Sequence, residues 1–201
     1  NESCIQACEA HPEKPKFEVL EDVVAKAAEL IAEGNPIGWF QGRMEFGPRA
    51  LGGRSILGRA DQLGIADKIN SQIKFRERWR PFCPSVLDSI AEEVIESDHQ
   101  ADFMTITFNV ADEWKEKMPE VVHKDGSARV QVVHAETNPK YHSLLTKLQG
   151  MTGNGVVLNT SLNRRGEPMV CSPRDALEMF FGSDLQYMVL EDLLVTKHRE
   201  S

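Results

Sequence analysis

Two periods of apolar and polar residues divide the chain into predicted helices and strands. Apolar residues recur every three or four positions, as on one face of a helix, in segments 19–33, 61–74, 138–150 and 172–182. Short apolar or alternating runs, which predict strands, occupy segments 36–41, 103–110, 128–135, 156–162 and 188–196. Segment 86–96 is expected to begin as a strand and continue as a helix. This mixture predicts an α/β or α+β fold built on a mixed sheet.

Other stretches show no clear period. Segment 1–16 is polar and contains two prolines, which predicts a linker or an edge arm. Segment 42–58 is predicted to be irregular, and the pattern of segment 112–122 gives no assignment. Two prolines in segment 80–84 disfavour a helix there. We therefore expect a linker or arm over residues 1–18, followed by one domain over residues 19–201.

The composition is that of an ordinary globular protein. Hydrophobic residues make up 41% and charged residues 27% of the 201 positions, and a chain of this length can bury an ample core. No apolar run approaches about 18 residues, so we expect no contact with a membrane. No signal peptide is visible, which favours a cytoplasmic location. The first residue is Asn1 rather than Met, so the chain is expected to be a piece of a longer or processed polypeptide.

The cysteines and histidines do not form a convincing metal-binding pattern. The cysteines, expected to be free thiols, are Cys4, Cys8, Cys83 and Cys171. The first two, with His11, resemble half of a zinc site, but the remaining ligand cannot be identified. The six histidines, at positions 11, 99, 123, 134, 142 and 198, are scattered. We expect each of them to lie on the surface or to be hydrogen-bonded within the fold.

Positive charge is concentrated in segment 42–85, GRMEFGPRALGGRSILGRADQLGIADKINSQIKFRERWRPFCPS. This segment has nine arginines and lysines and four acidic residues, and its charge of about +5 contrasts with the net charge of −8 for the whole chain. Arginine pairs with phosphate and carboxylate oxygens, so the inverted charge favours an anionic ligand. The segment's glycines would let the backbone approach that ligand closely. From composition alone, a solvated basic face is an equally good interpretation.

Common nucleotide-binding and nucleophile motifs are missing. Segment 42–58 has neither a P-loop nor a dinucleotide fingerprint, and the chain has no Gly-x-Ser-x-Gly elbow. A second polar segment, NTSLNRRGEP at 159–168, continues from the strand predicted at 156–162. Together with cations, its donors and acceptors could hold phosphate, ribose or an amide. Taken alone, it is better interpreted as a turn, and Arg129 as a charge at a strand edge.

Four blocks of sequence follow one another: GWFQGRMEFGPRALGGRSIL, IKFRERWRPFCPSVL, DGSARVQVV and VVLNTSLNRRGEPMVCSPRDAL. Together they resemble the C-terminal domain of the O-carbamoyltransferase family, which includes nodulation and antibiotic-tailoring carbamoyltransferases. The resemblance extends over about residues 21–197. The chain departs from the usual Gly-Asn-Arg-Ser at Gly53 and from the usual Ser-Phe-Asn at Leu162, and Arg164 replaces a common apolar residue.

The resemblance implies a YrdC-like fold, a twisted mixed α/β sheet with flanking helices and a basic concave face. The YrdC pattern Lys-x-Arg corresponds to Lys74-Phe75-Arg76, and the pattern Ser-x-Asn corresponds to Ser161-Leu162-Asn163. ATP, with Mg²⁺, and carbamoyl phosphate would react in this domain to give carbamoyladenylate and pyrophosphate. A larger N-terminal Kae1-like domain of the same polypeptide, carrying its own metal, would then transfer the carbamoyl group to a hydroxyl of a small-molecule acceptor. We expect that domain to lie outside this chain.

The residue types agree with this chemistry. Carbamate is itself the nucleophile, so catalysis should depend on positioning and fixed positive charge rather than on a reactive Ser or Cys. We predict that Lys74, Arg49 and Arg80 are catalytic. A further set is predicted to bind ATP or the carbamoyl group: Arg129, Asn159, Ser161, Asn163, Arg76, Arg54, Arg43 and Arg165. Arg59 and Arg78 are expected to be solvated, and no residue of the chain is predicted to ligate a metal.

The alternative is an RNA-binding module without carbamoyl chemistry, because YrdC-like basic faces can also bind RNA. Exposed aromatic residues among the cations would support it, and the basic segment contains Phe46, Phe75, Trp79 and Phe82. Arginine dominates over lysine in this segment, however, and the rest of the chain is acidic. We therefore expect no nucleic-acid partner.

Overall fold

The computed structural model describes residues 1–77 and 79–197; Arg78 and His198 lie outside the described residues. The helices in this part of the chain are α1 (Glu2–Ala10), α2 (Val23–Ala32), α3 (Ile65–Ile69), α4 (Ala91–Val94), α5 (Asp112–Lys117), α6 (Pro139–Thr152) and α7 (Pro173–Phe181). A π-helical turn, Asn70–Lys74, continues α3, and 3₁₀ turns occur at Asp88–Ile90 and Pro119–Val121. The strands are β1 (Lys16–Val19), β2 (Ile37–Phe40), β3 (Arg54–Arg59), β4 (Cys83–Leu87), β5 (Phe108–Asn109), β6 (Ser127–Ala128), β7 (Gln131–Val133), β8 (Val156–Ser161), β9 (Tyr187–Leu190) and β10 (Leu193–Thr196).

Eight of these strands form one mixed sheet in the order β1-β10-β9-β2-β3-β8-β4-β7. The pairs β2–β9 and β4–β7 are parallel, and the other neighbours are antiparallel. Strands β5 and β6 form a small separate ladder. The mixed sheet predicted from the sequence is therefore confirmed.

Helices cover both faces of the sheet and create two hydrophobic cores. Ile56 and Leu158 belong to the core that includes residues of α1 and α7. Their neighbours Leu57 and Val157 belong to the core formed with α2 and α6. Burial on both faces explains why the central strands are continuous apolar runs rather than alternating ones.

The first residues are structured, contrary to the linker or arm predicted for them. Helix α1 packs against α7, and β1 pairs with β10 at the edge of the sheet. Cys4 and Cys8 are buried, and burial raises the pKa of the Cys8 thiol to about 11, which keeps it protonated and suits packing better than metal ligation. His11 stacks on Phe181 at a ring distance of 4.9 Å. The sequence pattern missed α1 because its buried positions are occupied largely by cysteine.

Two strand predictions and one prediction of irregular structure were wrong in part. Segment 188–196 is a hairpin rather than one strand, because Glu191 adopts a left-handed backbone (φ 54°) and turns the chain between β9 and β10. Within 103–110, only Phe108–Asn109 pairs as a strand, and Phe103 and Ile106 are exposed. Segment 42–58, predicted to be irregular, includes most of β3.

Helix boundaries differ from the predictions in smaller ways. Helix α2 begins at Val23 because residues 16–19 belong to β1. Helix α6 continues to Thr152 and ends at Gly153, which has φ 76°. The start of α7 was predicted correctly, and Ser172 and Asp175 form a reciprocal capping box there. Within the described residues, no helix has both the length and the apolar character that crossing a membrane would require.

Gly52 lies where the loop that precedes β3 closes against the core of α6. Its carbonyl oxygen accepts a hydrogen bond from Trp39 Nε1 at 2.9 Å, its φ is +97°, and a Cβ atom there would overlap the ring of Tyr141. We predict that Gly52→Ala lowers the free energy of unfolding by about 3 kcal/mol, because left-handed backbone strain and overpacking add. Urea denaturation measures this change.

Gly64→Ala is the matched control for Gly52→Ala. Gly64 also has a positive φ, +88°, but no described atom lies within 4 Å of the position of its Cβ. This variant should lose only the backbone term, about 1 kcal/mol. Equal losses in the two variants would show that the contact with Tyr141 contributes nothing.

Candidate functional site

Two adjoining clefts lie beside the end of β8. The inner cleft, of about 110 Å³, is lined by Pro48, Arg49, Ala50, Arg76, Pro81, Phe82, Cys83, Met104, Arg129, Asn159, Thr160 and Ser161. The outer cleft, of about 180 Å³, is lined by Lys74, Arg76, Arg80, Ser161, Asn163, Arg164, Arg165 and Gly166. Arg76 and Ser161 belong to both clefts. The structure thus brings together nine of the eleven residues that were selected from the sequence.

The lining of the two clefts is strongly cationic. Among the described residues, it includes six arginines and Lys74, and it includes no carboxylate. Acidic partners lie at the rim of the outer cleft, where Glu167 pairs with Arg164 at 2.5 Å, and Glu77 pairs with Arg165 at 3.4 Å and with Arg80 at 4.0 Å. The arginines of the inner cleft, Arg49, Arg76 and Arg129, have no ion pair with a described carboxylate, and their positive charge makes this cleft suitable for a polyanion.

Lys74 occupies the end of the π-helical turn and is 4% exposed. Its Nζ donates to the carbonyl oxygen and Oγ of Ser161, at 2.8 and 3.1 Å, and to the carbonyl oxygen and Oδ1 of Asn163, at 3.0 and 2.5 Å. Ser161 Oγ also donates to Asn163 Oδ1 at 2.6 Å. Lys74 therefore holds the Ser161–Asn163 turn in one conformation.

The environment of Lys74 disfavours its charge. Burial, and then the nearby Arg76, lower the pKa of Lys74 to about 7. The protons of its ammonium group are directed at protein oxygens, so Lys74 is placed as a positioning residue rather than as a free contact for a phosphate. This geometry differs from the catalytic role predicted for Lys74.

Buried polar atoms of the inner cleft lack protein partners. Arg76 Nη2, Arg129 Nε and Asn159 Oδ1 have no hydrogen-bond acceptor or donor among the described residues. Other atoms of the same side chains are anchored: Arg76 Nε donates to Asn70 Oδ1 at 2.6 Å, and Arg129 Nη2 donates to Cys83 Sγ at 3.1 Å. Buried polar atoms are nearly always hydrogen-bonded in folded proteins. Three such atoms around one cleft indicate a place for a polar ligand.

A buried network of amide side chains fixes the loop that carries Arg49. Asn159 Nδ2 donates to the carbonyl oxygen of Ala50 at 3.2 Å, and Gln131 Nε2 donates to that of Leu51 at 2.9 Å. Ser85 Oγ connects the two amides, since it donates to Gln131 Oε1 at 2.7 Å and accepts from Asn159 Nδ2 at 3.0 Å. Ser85 and Gln131 were not predicted from the sequence, although each is a polar residue within an apolar strand, and this pattern could have identified them.

Glu45 stabilises the other side of the same loop and was also missed. Its Oε1 accepts hydrogen bonds from the backbone N–H groups of Leu51, Gly53 and Arg54, at 2.7, 2.7 and 3.2 Å. One carboxylate oxygen thus accepts from three backbone N–H groups within four residues and closes the loop upon itself. No feature of the sequence distinguishes Glu45 from the other acidic residues of the basic segment.

Arg54 and Arg43 do not join the other nine predicted residues. Arg54 is buried; its guanidinium lies 3.5 Å from the centre of the Phe40 ring and donates to four backbone carbonyl groups. These contacts give Arg54 a structural role and it lines neither cleft; that it binds the ligand stays a prediction. Arg43 is exposed and lines a separate cavity with Gln41 and Glu45. Arg59, expected to be solvated, instead forms a bidentate pair with Asp61.

Comparison with known proteins places the chain in a family. The family model described as "Carbamoyltransferase C-terminus" matches residues 28–197. Protein sll1178 of Synechocystis sp. is 42% identical over 197 aligned positions, which cover 88% of this chain and 32% of that protein. Nodulation protein NolNO of Sinorhizobium fredii is 41% identical over 189 positions, which cover 92% of this chain and 28% of that protein. The chain thus spans about a third of the length of these curated relatives.

Solved structures show the same fold at low sequence identity. Full-length HypF in a phosphate- and nucleotide-bound form superposes with a TM-score of 0.58 at 14% identity, covering 89% of this chain and 22% of HypF. A double variant of Sua5 from P. abyssi superposes with a TM-score of 0.53 at 13% identity, covering 84% of this chain and 50% of Sua5. The YrdC-like fold expected from the sequence is confirmed.

The family match extends from α2 to the end of the described chain and includes every residue that lines the two clefts. The nodulation relative supports the same assignment at 41% identity. This chain belongs to the carbamoyltransferase C-terminal family.

Proposed function

We propose that the two clefts activate a carbamoyl group with ATP, as one step of an O-carbamoyltransferase. The observation that carries this proposal is the cationic lining without carboxylates, together with the three unpartnered polar atoms of the inner cleft. A triphosphate meeting a carbamate brings two anions together, and fixed arginines stabilise the charge that builds on the phosphoryl oxygens. The likeness to a nucleotide-bound HypF agrees with this use of the fold.

The proposed reaction has two steps. Carbamoyl phosphate first loses its phosphate to water, which leaves carbamate and inorganic phosphate. A carbamate oxygen then attacks the α-phosphorus of ATP, and the bond from that phosphorus to the oxygen bridging the β-phosphate breaks. The products are carbamoyladenylate and pyrophosphate, whose negative charge remains paired with arginine side chains.

Each part of the site has a role in this scheme. Arg76 and Arg129 contact the phosphoryl or carbamoyl oxygens through their unpartnered nitrogens. Asn159 presents its Oδ1 as an acceptor for the carbamoyl amide. At the outer cleft, Arg80 and Arg165 are exposed and attract the triphosphate. The Ser161–Asn163 turn, held by Lys74, orients the nucleotide.

Mg²⁺ fits this site as a companion of ATP rather than as a resident metal. Mg²⁺ prefers oxygen ligands, often carboxylates together with substrate phosphates, and none of the described residues lining the clefts is acidic. The phosphate oxygens of ATP would therefore supply the negatively charged ligands of the Mg²⁺ ion. Mg²⁺ would contribute neutralisation of the triphosphate when bound.

Transfer of the carbamoyl group to a small-molecule hydroxyl is assigned to the Kae1-like domain proposed to precede this chain. The curated relatives are about three times as long as the aligned region, which leaves room for such a domain. The isolated 201 residues should therefore bind ATP with Mg²⁺ and form carbamoyladenylate slowly, but should not carbamoylate an acceptor.

Pyrophosphate–ATP isotope exchange tests the proposal. Exchange that depends on carbamoyl phosphate is the expected result, whereas carbamoylation of an acceptor by this chain alone would contradict the division between domains. Filter binding with RNA at physiological salt provides the second arm. Tight, salt-sensitive RNA binding that ATP does not displace, without exchange, would favour an RNA-binding module instead.

Arg129 provides the sharpest test of the inner cleft. We predict that Arg129→Gln weakens ATP binding about ten- to a hundredfold, because a charge-assisted hydrogen bond contributes about 1.5–3 kcal/mol. Calorimetric titration with ATP and Mg²⁺ measures the affinity. Arg174→Gln is the matched control, since Arg174 is an exposed arginine on α7 that pairs with Glu178 and lines neither cleft. Equal affinities in the two variants would remove Arg129 from the site.

The lowered pKa of Lys74 predicts that ATP binding takes up a proton. At about pH 8, a group with a pKa of about 7 is mostly neutral, and the incoming triphosphate favours its charged form. ATP affinity should consequently fall as the pH rises through and above this pKa. Calorimetry in two buffers of different ionisation enthalpy should show uptake of about half to one proton.

Two lysine variants test whether Lys74 is the group that takes up the proton. Lys74→Met should abolish the proton uptake, and Lys68→Met, on the exposed face of the same helix, should retain it. Proton uptake that is unchanged in Lys74→Met would mean that another group is responsible.

A further inference from the structure

Away from the two clefts, acidic and histidine side chains gather beyond the ends of β4 and β7. Asp88 follows β4, and His134 and Glu136 follow β7. The two strands are parallel neighbours, so their carboxyl ends coincide. One ligand atom from each of these three residues lies within 4.8 Å of the others. The histidines that looked scattered in the sequence are thus not all isolated in the fold.

Two of the three side chains are oriented by a further partner. His134 Nε2 lies 3.2 Å from Asp102 Oδ1. Asp88 Oδ1 accepts from the backbone N–H of Ser89 at 2.8 Å and lies 3.1 Å from His142 Nε2. These contacts leave His134 Nδ1 and Asp88 Oδ2 facing each other. A carboxylate behind a histidine ligand is the arrangement that fixes the ring in many metal sites.

The separation of these facing atoms suits a metal ion better than a hydrogen bond. His134 Nδ1 and Asp88 Oδ2 are 3.5 Å apart, beyond the usual N–H···O range of about 2.7–3.2 Å. Ligand bonds to zinc are about 2.0–2.2 Å long, so two ligand atoms at tetrahedral angles lie about 3.3–3.5 Å apart. Imidazole nitrogens and carboxylate oxygens are both ligands of Zn²⁺ and similar divalent ions.

We propose that Asp88, His134 and Glu136 bind a divalent transition-metal ion of the Zn²⁺ type. Three protein ligands leave a fourth position for water or a small ligand. Asp102 and His142 act as positioning residues through their contacts with His134 and Asp88. Asp102 also borders the cavity of about 510 Å³ that contains Arg43 and Lys140, so the metal stands beside that cavity. None of the three ligands lines the inner or outer cleft, which makes the proposal independent of ATP activation.

Calorimetric titration of the chelator-treated protein with ZnCl₂ tests the site. Cys171 is an exposed thiol, so Cys171→Ser is used as the background in every protein. We expect one Zn²⁺ per chain. Glu136→Gln removes a ligand at an exposed position, where the fold is not at risk, and should weaken binding at least tenfold. Asp102→Asn should weaken it about ten- to a hundredfold, as for other groups that orient a metal-binding histidine.

His123→Ala is the matched control. His123 bonds to Ser127 and is not a member of the group, so this variant should bind Zn²⁺ as the parent protein does. Substitution with Co²⁺ gives a second readout, because its visible absorption reports a nitrogen- and oxygen-ligated ion and should disappear in Glu136→Gln. A parent protein that does not bind Zn²⁺, or a Glu136→Gln variant that binds it equally tightly, would overturn the proposal and leave the group as a set of ion pairs.

Discussion

The hydrogen bonds of Asn159 and Gln131 are the interactions on which the rest of the site depends. Both amides are buried, Asn159 on the interior strand β8 and Gln131 on the edge strand β7, and both reach the backbone of the loop before β3. An amide buried there without partners would destabilise the fold by about 1–3 kcal/mol. Because these two side chains make their hydrogen bonds to the carbonyl groups of Ala50 and Leu51, they fix the loop in place, and Arg49 is fixed with it.

The same burial leaves polar atoms without hydrogen-bond partners, and a ligand can supply those partners. Asn159 uses its Nδ2 on three protein oxygens, and its Oδ1 remains without a partner among the described residues. Arg76 and Arg129 are similar, because one nitrogen of each is anchored while another has no acceptor. The anchors of these guanidinium groups are an amide, a thiol and the ring of Phe82, none of which carries a negative charge. An anion entering the cleft therefore meets positive charge that no carboxylate has neutralised.

Sequence patterns predicted the parts of this arrangement that depend on local order. The start of α7 and the polar end of β8 each depend on residues that are contiguous in the sequence, and both were identified correctly. Features that depend on strand pairing could not be found in this way. Ser85 meets Gln131 only because β4 and β7 are parallel neighbours, and the group around His134 has the same origin. The hydrogen bonds of Arg54 have a related origin, since the carbonyl groups that accept from its guanidinium come from separate parts of the chain.

The backbone conformation of Phe75 gives the two cations of the Lys-x-Arg pattern, Lys74 and Arg76, different roles. Phe75, between the two cations, adopts a left-handed backbone (φ 48°, ψ 49°) that ends the helical turn. Such a conformation is uncommon for a residue other than glycine, and strain of this kind is concentrated at functional sites. Because the chain reverses its course at Phe75, Lys74 is directed into the Ser161–Asn163 turn and Arg76 toward Phe82 and the inner cleft. Two cations separated by one residue thus have different roles: Lys74 holds the turn, and Arg76 presents positive charge to the ligand.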